Sequence, residues 1–144
     1  MIKTFLTTIF LISSFSFAKA TTVANCDLNF KKENICATLT WIKRPVVVAA
    51  PTAKDAATFD LKFWNAKTLA KLELGKNQSL FVSLYMPSMG HGSEPVILKK
   101  DEHEQGLYHV TQVLFSMEGA WEIRARIQKS DKVVDSAALP FNFK

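Results

Sequence analysis

WEIRARIQ, residues 121–128, decides the fold class. Trp121, Ile123, Ala125 and Ile127 fall on one side of an extended chain, with Glu122, Arg124, Arg126 and Gln128 on the other. Successive side chains of a strand point to opposite faces, so this period of two reads as a strand with one dry and one wet face. TFDLKFW, residues 58–64, repeats the pattern: Phe59, Leu61 and Phe63 lie inward, Asp60 and Lys62 outward. A helix would group its apolar residues at spacings of three and four. No stretch beyond residue 20 does so convincingly.

Working outward, ICATLTWI (35–42), SLFVSLYM (79–86), PVIL (95–98), LYHVTQVLFSM (107–117) and VVDSAALPFNF (133–143) supply further strand candidates. Turn-forming residues separate them at Arg44-Pro45, Ala50-Pro51, Gly75 to Asn77, Gly90 to Pro95, Gln105-Gly106, Glu118-Gly119 and Ser130-Asp131. The pattern predicts an all-β fold, an immunoglobulin-like antiparallel β-sandwich of seven to eight short strands. Residues 66–74 (AKTLAKLEL) fit a short helical turn or an irregular strand, and the proline-broken 45–57 segment fits a long loop or an edge strand.

Residues 1–20 read as a signal peptide. Lys3 provides a positive start, Phe5 to Phe17 a short apolar run, and Ala18-Lys19-Ala20 a small-x-small cleavage pattern. The remainder, 21–144, is expected to be one β-sandwich domain that is periplasmic or secreted, without membrane insertion after cleavage. Removing Lys3 and Lys19 leaves 16 basic against 13 acidic residues. That balance, with no Lys/Arg block, excludes nucleic acid as an expected partner. Cys26 and Cys36 flank a polar turn, and export favours a disulfide between them. Closing so short a loop stabilises by about 2–3 kcal/mol on the chain-entropy model.

Chemistry concentrates in LYMPSMGHGSEPV, residues 84–96. Pro87 stiffens the exit from a strand, and Gly90 and Gly92 permit a tight turn, so Met86, Met89 and His91 have the means to converge. Thioethers and a neutral imidazole suit Cu(I) better than zinc or hard cations, and binding through His91 weakens as the imidazole protonates. If each short connection joins adjacent strand ends, Met117 returns to the end of the sandwich that carries this loop. His103 and His109 go to the opposite end. His109 and Met117 lie eight residues apart, about 26 Å along a strand at about 3.3 Å per residue, too far to share one ion. The 44–57 loop is expected near the Met117 end. DEHEQGLYH (101–109) offers carboxylates and histidines for a divalent ion, but a charged hairpin turn has the same composition.

Packing alone also accounts for part of the set. Met86 is in phase with Leu80, Val82 and Leu84, and Met117 with Val113 and Phe115. No Ser/His/Asp elbow, phosphate-cradling glycine loop or HExxH stretch is present, and Trp41, Trp64 and Trp121 read as core residues, so an enzyme is not expected.

Residues 80–127 resemble the YtkA-like/FixH-like domain family. The pattern is a strand, a Met-Pro-x-Met-x-His loop, a Gly-Tyr strand opening and Phe-x-Met-x-Gly-x-Trp. Its positions here are Met86, Pro87, Met89, His91, Gly106, Tyr108, Phe115, Met117, Gly119 and Trp121. The resemblance implies a small immunoglobulin-like sandwich outside the cytoplasm. Members of the FixH type are membrane-anchored and associated with copper supply to respiratory oxidases. A cleavable leader and the Cys26–Cys36 pair depart from that type. Two functions follow as expectations. One is a copper carrier or assembly factor binding Cu(I) through Met86, Met89, His91 and Met117, with a copper-donating or copper-receiving exported or membrane protein as partner. The other is a protein-interaction module in which the Met/His loop is a structural turn.

Overall fold

The computed structural model describes residues 25–143, and the predicted leader lies outside them. Nine strands follow one another in chain order: β1 (Leu28–Phe30), β2 (Ile35–Lys43), β3 (Ala57–Asn65), β4 (Gln78–Met86), β5 (His91–Gly92), β6 (Ile97–Lys100), β7 (Leu107–Val113), β8 (Gly119–Lys129) and β9 (Lys132–Phe143). They form two antiparallel sheets, one ordered β1-β2-β3-β7-β6 and the other β5-β4-β8-β9. The two quoted stretches behave as their alternation requires. Phe59, Leu61 and Phe63 of β3 and Trp121, Ile123, Ala125 and Ile127 of β8 are all buried, and they meet across the interface between the sheets.

The count exceeds the expected seven to eight by a strand of two residues. β5 is too short for any alternation to show, and it exists because the chain folds back onto the end of β4. The predicted 107–117 strand is also shorter than its pattern. It ends at Val113, where Gln112 takes a positive φ of 57° and the pairing with β3 slips between Phe59↔Val110 and Ala57↔Val113. Beyond the slip, Phe115 makes an isolated parallel bridge to Val47, which brings the 44–57 loop to that end of the sandwich. Residues 66–74 form no helix. The side chain of Asn65 accepts hydrogen bonds from the amides of Lys67 and Thr68, and the chain then bridges back to Trp64 at Lys71.

Two features fix the β1 edge of the sandwich. Cys26 and Cys36 form a disulfide with Cα atoms 5.2 Å apart, tying the chain before β1 to β2. Asp135 of β9 is buried, and its carboxylate accepts the amides of Lys32 (2.7 Å) and Glu33 (3.0 Å) in the β1–β2 turn. This joins the edge of one sheet to the edge of the other. β9 is itself an edge strand, and Pro140 within it lacks the amide that another chain would need for pairing.

Candidate metal site

The site is built from the end of β4. The Met86 carbonyl accepts hydrogen bonds from the amides of Met89 (3.2 Å) and Gly90 (3.0 Å), closing a tight turn. Gly90 adopts φ +67°, a left-handed conformation that costs glycine little. The chain then returns as β5, and His91 becomes the cross-strand partner of Met86. Directly opposed residues of an antiparallel pair share a face, with Cβ atoms about 4.5–5.5 Å apart. Two of the candidate ligands are therefore neighbours by register.

The same face continues into β8 and β9. β4 pairs β8 with Tyr85 opposite Glu122, so the next residue along sets Trp121 beside Met86, and Trp121 pairs Phe141 of β9. One row thus crosses the sheet: His91, Met86, Trp121, Phe141. Met86 and Trp121 are 2 % and 1 % exposed, so the row faces the interior, and the half-buried His91 sits at its rim. The imidazole lies edge-on to the indole, with centroids 6.2 Å apart at 78°.

Met117 joins this row through its backbone. Its carbonyl accepts the Trp121 indole N–H at 3.2 Å, and its half-buried side chain packs against the core. Gly119 follows at φ +125°, and a Cβ there would come within 3.1 Å of the Met86 ε-methyl. The missing side chain leaves the room that the Met86 thioether occupies. Met89 lies apart from the others: on the same turn, but 60 % exposed to solvent. The fold therefore brings Met86, His91 and the Met117 segment together and leaves the Met89 thioether in water.

The backbone orients the His91 ring. Its Nδ1 lies 3.0 Å from the Gly92 carbonyl, which only accepts, so Nδ1 carries the proton. In the neutral ring Nε2 then holds the free lone pair, and this kind of backbone tether orients many metal-binding histidines.

The other two histidines lie elsewhere. His109 on β7 reaches Asp60 of β3 through Nδ1 (2.7 Å) and Asp101 through Nε2 (3.0 Å). The hydrogen bonds His109 donates to Asp101 and then to Asp60 raise its pKa. Asp101 also accepts the amides of His103 (2.7 Å) and Glu104 (2.6 Å). Its carboxyl is lowered to about 2, first by the His109 hydrogen bond and then by those amides. Of the two readings of residues 101–109, the structure has the charged hairpin turn. Among the described residues, no group of three His, Cys, Asp or Glu side chains is arranged to hold a metal ion. Sequence reasoning passed over Gly119 and Trp121 as site residues; their signal was their spacing of two and four from Met117.

Residues 46–126 match the family model described as YtkA-like. The chain belongs to the YtkA-like family. Neither the curated proteins nor the solved structures yield a match. The YtkA-like segment runs from the loop bridged to Phe115 through most of β8, so it contains Met86, Met89, His91 and Met117. The disulfide hairpin and β9 lie outside it.

Proposed function

We propose that this protein is exported and binds copper as Cu(I) at the row's end, through Met86, Met89, His91 and Met117, to carry or deliver the ion without catalysing a reaction. The observation that supports this most is the cross-strand pairing of Met86 with His91, whose Nδ1 is tethered so that Nε2 is the free nitrogen. The donor set is neutral, three thioethers and an imidazole, which matches a soft monovalent ion better than a divalent one. Met86 and His91 form the base of the site, and Met89 would swing in from solvent to complete it. The disulfide agrees with an oxidising compartment, where thiols would compete poorly as copper ligands. A copper-donating or copper-receiving exported or membrane protein is the partner this reading requires.

A second reading draws on the depth of Met86, which belongs to the core cluster. In it the loop is a structural turn, and the loops at this end dock a protein partner. A titration of the purified protein with Cu(I) against a competing chelator separates the two. The copper reading expects a Kd below about 1 μM, weakened by the double substitution Met89→Ala/His91→Ala. Weaker binding that is unchanged in the double variant overturns it in favour of the second reading.

A further inference from the structure

We propose that Trp121 is a positioning residue of the copper site, fixing His91 and the Met117 backbone relative to one another and reporting the bound ion through its indole. The inference rests on the Cu(I) reading above.

Trp121 meets the site in three separate ways. Its ring lies edge-on to the His91 imidazole at 6.2 Å. Its Nε1–H is donated to the Met117 carbonyl at 3.2 Å, across the Glu118-Gly119 turn. By register it sits beside Met86 on the same buried face. A buried indole needs a partner for its N–H, and here that partner is the backbone of a candidate ligand.

The indole is held from behind as well. Phe115 packs against it at 5.3 Å with planes at 86°, and Phe115 in turn meets Phe143 at 4.5 Å and Phe141 at 5.9 Å. Trp121 is 1 % exposed, so packed neighbours restrict its ring. His91 is therefore restrained by the Gly92 carbonyl at Nδ1 and by the indole edge against its ring. The segment carrying Met117 is restrained by the indole N–H. Residues that orient ligands in this way commonly change metal affinity by 10–100-fold when replaced.

The test compares Trp121→Phe with Trp41→Phe in the full protein. Trp41 belongs to the same aromatic cluster, against Phe59 at 5.2 Å and Phe141 at 5.4 Å, but it has no contact with His91 or Met117 among those described. Cu(I) affinity is read by chelator competition and the metal-dependent signal by tryptophan fluorescence. Trp121→Phe keeps an aromatic ring and loses the N–H. It is expected to weaken Cu(I) about tenfold and to lose most of the fluorescence quenching. Trp41→Phe is expected to keep both. Unchanged affinity in Trp121→Phe, or equal losses in the two variants, overturns the role of Trp121 while leaving the copper reading in place. Absence of Cu(I) binding by the wild-type protein overturns both. If Trp121→Phe does not fold, Trp41→Phe and Trp64→Phe decide, since both retain Trp121: loss of quenching in either overturns the proposal.

Discussion

Gly119 shows how much rests on one absent side chain. Its φ of +125° is a conformation that L-residues rarely adopt, and a Cβ there would press on the Met86 ε-methyl. Gly119→Ala is therefore expected to destabilise the fold by about 1–3 kcal/mol, measured by urea unfolding. It should also weaken Cu(I) binding, because Met86 has to move. An alanine variant with wild-type stability would show that the backbone relaxes at no cost. Met89 teaches the opposite lesson. Its place in the motif was legible in the sequence, but its 60 % exposure was not. Nothing in the letters distinguishes a thioether turned inward from one left in water.

At the scale of elements, the charged face of the larger sheet carries a titratable tie. His109 joins β7 to Asp60 on β3 and to Asp101 in the β6–β7 hairpin, with Lys99 as its cross-strand partner on β6. Its pKa is raised in the folded protein, so the protonated form is favoured by folding. That contribution is fully present below the unfolded value of about 6.5 and is lost as pH rises through the folded one. Asp101, lowered to about 2, adds a contribution present above about pH 4 and lost as pH falls towards 2. The stability gap between wild type and His109→Gln should therefore be widest between about pH 4 and 6.5 and narrow on either side. Urea midpoints across pH check this, and a flat gap would refute it. The sequence placed Asp60 and His109 in strands and Asp101 in a charged turn. It carried no sign that Asp60 and Asp101 share one imidazole, since that depends on how β3 and β6 flank β7.

Across the whole molecule, a buried carboxylate ties the edge of one sheet to the edge of the other. Asp135 holds the amides of Lys32 and Glu33, over a hundred residues away, and so anchors the β1–β2 turn against β9. Asp135→Ala leaves both amides without their acceptor and is expected to cost about 1–3 kcal/mol in urea unfolding. Hydrogen exchange should show the β1–β2 hairpin opening first. Uniform loss of protection over both sheets would mean that the clamp supports the whole fold.

Alternating residues and punctuating turns were sufficient to determine an antiparallel two-sheet sandwich. They also determined which end of it receives Met86, Met89, His91 and the chain around Met117. Those signals are local: side-chain direction follows from the two-residue repeat of a strand, and chain reversal from glycine and proline backbone limits. Tertiary structure alone decided the rest. The row His91–Met86–Trp121–Phe141 exists because three strand pairs adopt particular registers, and the slip at Gln112 sends Phe115 towards Val47. Register is set by how whole faces pack together, so no short stretch contains it.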